Sequence, residues 1–169
     1  QPRRVIDFGI GCGSASAAAL DAFGTIDWIH GIDPSQSMRD CAKLLIEDIV
    51  KERTPSARLT LGESLTSDSS GGGTFDLALC TYTATELPHV ASMLAAAASL
   101  WEKLKPNGIF IMIEPGTPDG FNSIRSVRTM LLDCCPPRGN FEDEMEGDDQ
   151  CHIIAPCTHS GKCPMHRHQ

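Results

Sequence analysis

A glycine-rich turn near the start of the sequence constrains the fold more than any other feature. The segment DFGIGCG, residues 7–13, follows a short apolar run and precedes an alanine-rich run typical of a helix. Glycines between a strand and a helix let the backbone adopt positive φ angles and approach a ligand closely. The sequence therefore predicts an α/β fold with a ligand-binding turn at the carboxyl end of its first strand.

The spacing of these glycines discriminates between cofactors. A dinucleotide fingerprint needs a glycine two residues after the first and another three residues later, and counting from either Gly9 or Gly11 fails to give it. The pattern acid-x-Gly-x-Gly-x-Gly, from Asp7 to Gly13, instead resembles the first motif of class I methyltransferases. This resemblance implies S-adenosylmethionine as the cofactor, and NAD is the alternative.

Two further acids support the same pocket. Asp33 ends the second predicted strand, the usual position of a carboxylate that accepts both ribose hydroxyls of a nucleoside. Glu63 follows the third predicted strand, where methyltransferases commonly place a polar contact to the adenine. The alternative is that the glycines only form a tight turn and that Asp33 caps a helix. The cofactor-binding residues that we predict are Asp7, Gly9, Gly11, Gly13, Asp33 and Glu63.

Strand and helix patterns alternate along the first 137 residues, which predicts a mostly parallel sheet with helices on both faces. The predicted strands are residues 5–8, 27–32, 57–61, 75–82 and 109–114. Three of the predicted helices are residues 15–23, 90–103 and 122–132. The other one, second along the chain, begins after Ser35 or Ser37 and ends at about residue 52. The class I methyltransferase resemblance implies a Rossmann-like fold whose last strands lie beyond Gln169. The residues expected on the core face of the second helix are Met38, Cys41, Ala42, Leu45, Ile49 and Val50.

The composition divides the chain into three parts. Residues 1–137 form the predicted cofactor-binding domain, residues 138–150 an acidic loop, and residues 151–169 a segment rich in cysteine and histidine. Within that segment we expect a short strand at residues 152–155. The sequence runs directly into its first strand, so we interpret it as part of a longer chain. The apolar runs are all shorter than the roughly 20 residues that span a bilayer, and we expect no membrane partner.

The cysteines indicate a reducing compartment and a candidate metal centre. Five of the eight lie in the last third of the sequence, unlike a secreted disulfide scaffold. Cys151, Cys157 and Cys163 are spaced by sixes and have several histidines among them. Thiolates and imidazoles suit zinc or an iron–sulfur cluster, so these three cysteines are the predicted metal ligands. The alternative is a collection of unrelated residues.

The sequence does not identify a catalytic residue. The fourth strand leads into CTYTATELP, without the Asn/Asp-Pro-Pro-aromatic motif of many nucleobase amine methyltransferases. Cys80 has the position of a thiolate nucleophile, but its neighbours do not resemble the cytosine-methylating family, and most free cysteines are buried apolar residues. The polar residues that could face a methyl acceptor are Tyr82, Glu86, Glu114 and Asp119. The net charge of −8 argues against nucleic-acid binding by the surface of this chain alone.

Three segments together resemble one family. They are DFGIGCGSA in the glycine turn, EPGTPDGF after the fifth strand, and APCTHSGKCP in the tail. These segments resemble the methyltransferase-like assembly factors of the mitochondrial small ribosomal subunit. The resemblance implies a mitochondrial matrix protein that acts with small-subunit rRNA, mitochondrial ribosomal proteins or other assembly factors. It also implies an iron–sulfur (4Fe-4S) cluster, with Cys157 and Cys163 at two ligand positions and the remaining ligands beyond this chain.

Three functional hypotheses follow from these residues. The leading one is an assembly factor with a methyltransferase-like fold that binds S-adenosylmethionine. The second is an active rRNA methyltransferase that uses the same pocket, and the third is a small-molecule methyltransferase. Methyl transfer to a good nucleophile mainly needs positioning, so the missing catalytic motif leaves the question of enzymatic activity open.

Overall fold

Five parallel strands form the central layer of the computed structural model, which describes residues 1–53, 57–67, 73–135 and 151–165. The strands are β1 (Arg4–Phe8), β2 (Trp28–Ile32), β3 (Arg58–Gly62), β4 (Phe75–Thr81) and β5 (Leu104–Ile113). The helices are α1 (Ser14–Ala22), α2 (Gln36–Arg53), α3 (Val90–Lys103) and α4 (Pro118–Cys134). The predicted alternation is confirmed. The acidic loop, residues 138–150, lies outside the described residues.

The sheet reverses its winding at β1. Its strand order is β3-β2-β1-β4-β5, and every neighbouring pair is parallel. The chain moves outward from β1 to β3 and then crosses back to β4 on the other side of β1. In open α/β sheets, such a switch point creates a crevice at the carboxyl ends of the strands. The glycine turn after β1 lies at this crevice.

Two apolar clusters hold helices on opposite faces of the sheet. On one face Val5, Ile29 and Leu77 pack with residues of α1 and α2. On the other face Ile6 and Ala78 pack with residues of α3 and α4. Alternate residues of a strand point to opposite faces, and the three central strands β1, β2 and β4 contribute to both clusters. The predicted two-sided packing is confirmed.

The predicted core face of α2 is partly wrong. Ala42 is fully buried, but Met38, Cys41 and Leu45 are exposed. Ile46 is buried instead of Leu45. Each residue turns the helix by about 100°, so the stripe that includes Cys41 and Leu45 lies to one side of the stripe that meets the sheet.

Helix α4 and strand β5 both begin earlier than predicted. The Thr117 hydroxyl accepts a hydrogen bond from the Gly120 amide at 3.2 Å, and Pro118 occupies the first turn. These two features start a helix well. Strand β5 begins at Leu104 instead of residue 109 and contains an irregularity: Asn107 has a φ of 63°, and the pairing with β4 shifts register between Leu104 and Ile109.

The cysteine-rich segment follows α4 without the strand expected at residues 152–155. Within residues 151–165 the only regular backbone is a short turn near the end. The Cys151 amide donates to the Cys135 carbonyl at 2.9 Å, a single bond to a helix end rather than a ladder. Of the helices in the described ranges, none is long and apolar enough to cross a membrane.

Candidate cofactor site

The glycine turn is bonded to the end of β2. The amides of Gly9 and Ile10 donate to the Ile32 carbonyl at 2.8 and 3.0 Å. The φ angles of Gly9, Gly11 and Gly13 are 73°, 53° and 93°. Glycine takes such angles without the steric cost that a side chain brings, so all three predicted turn residues are placed as a cradle at the switch point.

The three glycines face different surroundings. A Cβ atom on Gly9 would lie 2.0 Å from the Thr83 hydroxyl oxygen, and one on Gly13 would lie 3.1 Å from the Ile46 side chain. A Cβ on Gly11 would meet nothing closer than the Gly9 carbonyl at 3.9 Å. The lack of a side chain therefore lets the loop after β4 pack closely against Gly9 and lets α2 pack closely against Gly13. Gly11 faces open space where a ligand can approach.

The Asp33 carboxylate connects the glycine turn to the loop after β2. One oxygen accepts from the Gly11 amide at 3.0 Å, and the other accepts from the Ser35 amide at 2.8 Å. The helix cap is Ser35, whose hydroxyl accepts from the Met38 amide at 3.4 Å. Each carboxylate oxygen can accept more than one hydrogen bond, so Asp33 retains acceptor capacity for a pair of hydroxyls.

Asp7 is a buried carboxylate with one unsatisfied oxygen. Its side chain is fully buried, the Ser16 hydroxyl donates to Oδ2 at 2.6 Å, and Oδ1 has no partner within the described structure. Burial raises the pKa of Asp7 to about 6, and the Asp33 charge adds to this shift while the Ser16 hydrogen bonds oppose it. A cationic or hydrogen-bond-donating ligand in the crevice would satisfy such an oxygen.

We predict that Asp7→Asn increases stability at neutral pH and removes a pH dependence. The folded state holds the Asp7 proton more tightly than the unfolded chain does, because the pKa rises from 3.8 to about 6. The stabilisation by this proton is complete below pH 3.8 and is lost as the pH rises through about 6. A neutral asparagine should raise the free energy of unfolding at pH 7 by about 1–3 kcal/mol.

Urea denaturation of both proteins between pH 4 and pH 8 measures this effect. The wild type should lose stability relative to the variant between about pH 4 and pH 6. Parallel pH profiles would contradict the assignment of the raised pKa to Asp7. Asp133→Asn, which removes one carboxylate from an exposed residue of α4, is the matched control.

Glu114 is a site residue whose role the sequence did not reveal. Its carboxylate, 8% exposed, accepts hydrogen bonds from the amides of Thr83 and Ala84 at 3.0 and 2.8 Å and from the Thr85 hydroxyl at 2.9 Å. These contacts fix the loop that lies against Gly9. Glu114 therefore positions the crevice wall rather than facing a methyl acceptor. The feature of the sequence that could have indicated this role is the position of Glu114 directly after β5, which parallels the position of Asp33 directly after β2.

The other polar candidates lie on the surface of the same edge. Glu63 follows β3 and is exposed, next to Gly62, whose carbonyl accepts from the Asp33 amide at 3.1 Å. Tyr82, Glu86 and Asp119 are also exposed. Glu63 thus lies at the predicted edge, and no contact with another described residue assigns it a partner.

Cys80 is not placed as a nucleophile. Its side chain is 5% exposed, and burial, with the charges of Glu114 and Asp7, raises the pKa of its thiol to about 12. The reactive thiolate is therefore suppressed at physiological pH. This agrees with the expectation of a buried structural cysteine.

The three predicted metal ligands are not brought together. Cys151 is 2% exposed and belongs to the apolar cluster beneath α4, where burial and then Cys135 raise its thiol pKa. Cys157 is exposed and Cys163 is half-buried in the following loop. Arg128 on α4 donates to the carbonyls of His159 and Gly161, the latter at 3.0 Å. Residues 1–53, 57–67, 73–135 and 151–165 contain no group of three ligands placed to hold a metal.

The sheet order, the glycine turn and the acid after β2 together define a class I methyltransferase fold. A solved S-adenosylmethionine-dependent methyltransferase of Methanosarcina mazei shares this fold at a TM-score of 0.53 and 19% identity, over 64% of this chain and 50% of that one. The chain belongs to the family described as mitochondrial small ribosomal subunit Rsm22, whose model matches residues 1–169.

Two relatives indicate the context of this family. The mitochondrial Rsm22-cox11 tandem protein 2 of Schizosaccharomyces pombe is 23% identical over 98% of this chain. The human mitochondrial ribosome assembly protein METTL17 is 25% identical, also over 98% of this chain. The chain spans only 21% and 34% of the length of these two relatives.

Proposed function

We propose that this chain is the cofactor-binding part of an assembly factor of the mitochondrial small ribosomal subunit, acting in the matrix with S-adenosylmethionine bound. The observation that carries the proposal is the hydrogen bond from the Gly11 amide to the Asp33 carboxylate. It connects the glycine cradle to the acid after β2 at the switch point. Family membership and the mitochondrial relatives support the setting.

The charges of the crevice residues and the open space at Gly11 support S-adenosylmethionine as the ligand. Asp33 offers acceptors for ribose hydroxyls, and Glu63 lies at the same edge for the adenine. The unsatisfied Oδ1 of Asp7 suits the positive charge of the methionine moiety. Gly11 leaves space for the ligand backbone to approach. When bound, the cofactor supplies a methyl group activated by its sulfonium.

The chemistry of the crevice favours a binding role over methyl transfer. The pKa of the Cys80 thiol is raised to about 12, and the Glu114 carboxylate accepts hydrogen bonds from the loop after β4. Neither Cys80 nor Glu114 is therefore available as a nucleophile or a base. We propose that the cofactor stabilises the fold or regulates assembly. An active rRNA methyltransferase is the second candidate, because transfer can proceed by positioning alone.

The deciding experiment uses the full-length protein with immature small subunits. We expect wild-type protein to bind S-adenosylmethionine and to co-sediment with the subunits without transferring labelled methyl groups to their RNA. We expect Asp33→Asn to lower cofactor affinity more than tenfold, because the side chain loses its charge and must turn its NH2 group toward either the Gly11 or the Ser35 amide.

The matched control for Asp33→Asn is Asp40→Asn, an exposed residue of α2. Unchanged affinity in Asp33→Asn would place the cofactor elsewhere. Methyl transfer to a defined nucleotide would establish the enzymatic alternative.

We also propose that Cys157 and Cys163 supply part of an iron–sulfur or zinc site. Two thiols six residues apart lie in a loop that Arg128 holds against α4. Thiolates are the ligands that both kinds of centre prefer. The remaining ligands of this proposed site come from outside the described residues. Cys151 is not included in this proposed site, because its side chain is buried in the apolar cluster beneath α4.

Replacing both Cys157 and Cys163 by serine should therefore lower the bound metal in anaerobically purified full-length protein. The melting temperature should fall with it, since metal binding is coupled to folding. Elemental analysis and thermal denaturation measure the two effects. Cys41→Ser, an exposed cysteine of α2, is the control and should retain the metal. Full metal content in the double variant would remove both cysteines from the site.

A further inference from the structure

The amino ends of the strands form a second charged edge, opposite the edge that holds the glycine turn. Two of its basic residues are paired with acids: Arg3 lies 2.7 Å from Asp27, and Lys105 lies 2.8 Å from Asp76. Arg4 and Arg58 are exposed at the same edge, and neither guanidinium has a carboxylate partner among the described residues. Within the described ranges, this edge therefore carries two positive charges without a carboxylate partner.

These two arginines lie on either side of Trp28. Arg4 of β1 and Arg58 of β3 are both register partners of Trp28 in β2, so the three side chains share one face of the sheet. The guanidinium carbon of Arg58 lies 4.6 Å from the centre of the indole ring, and that of Arg4 lies 5.8 Å from it. Both distances are within the range of a cation–π interaction.

The indole is a fixed platform for the two guanidinium groups. Its N–H donates to the Thr60 hydroxyl oxygen at 2.8 Å, and its ring centre lies 5.1 Å from that of Phe75. Phe75 is fully buried in the core. An arginine stacked on a fixed ring loses less side-chain freedom when it binds a ligand, and its planar N–H donors remain available.

On this face of the sheet, the described helices lie near β4 and β5 and away from Arg4 and Arg58. Helix α3 contacts β4 and β5. Within the described part of the connection from β3 to β4, the one helical element is a short turn, Leu65–Ser67. Trp28 is half-buried, while Arg4 and Arg58 are exposed. A ligand can therefore reach the two guanidinium groups from solvent.

We infer that Arg4 and Arg58, ordered by Trp28, bind backbone phosphates of small-subunit rRNA. The inference rests on the proposed function for the identity of the RNA. Guanidinium groups bind phosphate oxygens through paired hydrogen bonds. Because the chain has a net charge of −8, most of its surface repels RNA, and contact is confined to places where positive charge is uncompensated.

The location of this surface separates the RNA contact from the cofactor. Asp7, Asp33, Glu63 and Glu114 cluster at the carboxyl edge, which repels phosphates. The two edges are about 13 Å apart, the length of four steps along a strand. The same protein can thus hold RNA at one edge and the cofactor at the other, as expected for an assembly factor that does not methylate the RNA it contacts.

The test compares full-length variants for binding to a fluorescein-labelled single-stranded RNA of mixed sequence over a range of salt concentrations. Arg4→Gln with Arg58→Gln should weaken binding about tenfold at low salt and reduce the slope of log affinity against log salt by about 1.4, or about 0.7 for each lost phosphate contact. Arg4→Lys with Arg58→Lys keeps the charge and should retain most of the slope.

The control is Lys43→Gln with Lys51→Gln on α2, which removes the same charge from side chains that lie beside Glu47 and Asp48. An equal loss of RNA binding in this control would overturn the inference, and so would unchanged binding in the glutamine variant of the two arginines. Binding to vesicles that contain phosphatidylserine is measured for the same variants. If the glutamine variant of the two arginines lost vesicle binding but kept RNA binding, the inference would also be overturned.

Cofactor affinity and co-sedimentation with immature small subunits are measured on the same samples. Retained cofactor affinity in the glutamine variant, together with weakened RNA binding, would support the inference. If that variant binds RNA normally while the wild type co-sediments with subunits, the inference fails and the proposed function stands. If the wild type does not co-sediment but its RNA binding depends on Arg4 and Arg58, the proposed function fails and the phosphate contact stands.

Discussion

Replacing Gly9 with alanine should lower the free energy of unfolding by about 3 kcal/mol and abolish cofactor binding. The φ of 73° costs about 1 kcal/mol for a residue with a side chain. The new Cβ would also lie 2.0 Å from the Thr83 hydroxyl oxygen, and relieving such a clash costs about 1–3 kcal/mol. Thr83 cannot move aside easily, because its hydroxyl donates to the Thr81 carbonyl at 3.0 Å and its amide donates to Glu114 at 3.0 Å.

Urea denaturation and calorimetric titration with S-adenosylmethionine measure the two effects in the full-length protein. Gly24→Ala is the matched control, because a Cβ there meets nothing within 4 Å, and it should be neutral. Adding Thr83→Gly to Gly9→Ala removes the clashing atoms and should recover part of the stability. A Gly9→Ala protein as stable as the Gly24→Ala control would contradict the close approach of the two loops.

Glu114→Ala should lower the free energy of unfolding by a similar amount, about 3 kcal/mol. The substitution removes the acceptor of three hydrogen bonds and leaves the Thr83 and Ala84 amides without a partner in a mostly buried position. Each unsatisfied buried donor costs about 1–3 kcal/mol. Cofactor affinity should fall too, because the freed loop no longer defines the crevice beside Gly9.

Glu114→Gln should be intermediate, since the amide keeps one acceptor oxygen but turns donors toward other donors. Glu86→Ala is the control, an exposed residue in the turn Ala84–Glu86, and should change stability by no more than about 0.5 kcal/mol. Denaturation and cofactor titration separate the two roles of the loop. Equal stability of Glu114→Ala and Glu86→Ala would show that the three hydrogen bonds contribute nothing.

The sequence predicted the fold well because its signals are local. Alternating apolar patterns define each strand and helix, and a run of glycines before an alanine-rich helix marks the turn after β1. The general rules for parallel sheets give the handedness of the connections, whereas the order β3-β2-β1-β4-β5 comes from the structure. The exposure of Met38 and Leu45 could not be predicted in this way, because two neighbouring stripes of α2 are both apolar.

The candidate site was only partly predictable for a physical reason. Asp33 could be placed beside the glycine turn because both follow neighbouring strands at their carboxyl ends. The roles of Thr83 and Glu114 depend on how a loop after β4 packs against a turn 74 residues earlier. The alternation of strands and helices does not encode that contact. The separation of Cys151 from Cys157 is another tertiary outcome, since even spacing gave no sign that one of them enters the core.

The contact between Gly9 and Thr83 also has a consequence for the order of folding. The crevice is complete only when β1, β4 and β5 have paired, and pairing over such long sequence separations is slow. A cofactor that binds there recognises the finished sheet and not its precursors. By mass action it raises the population of folded chains. Under the proposed function, the cellular supply of S-adenosylmethionine would in this way set how much folded protein is present to meet a maturing ribosomal subunit.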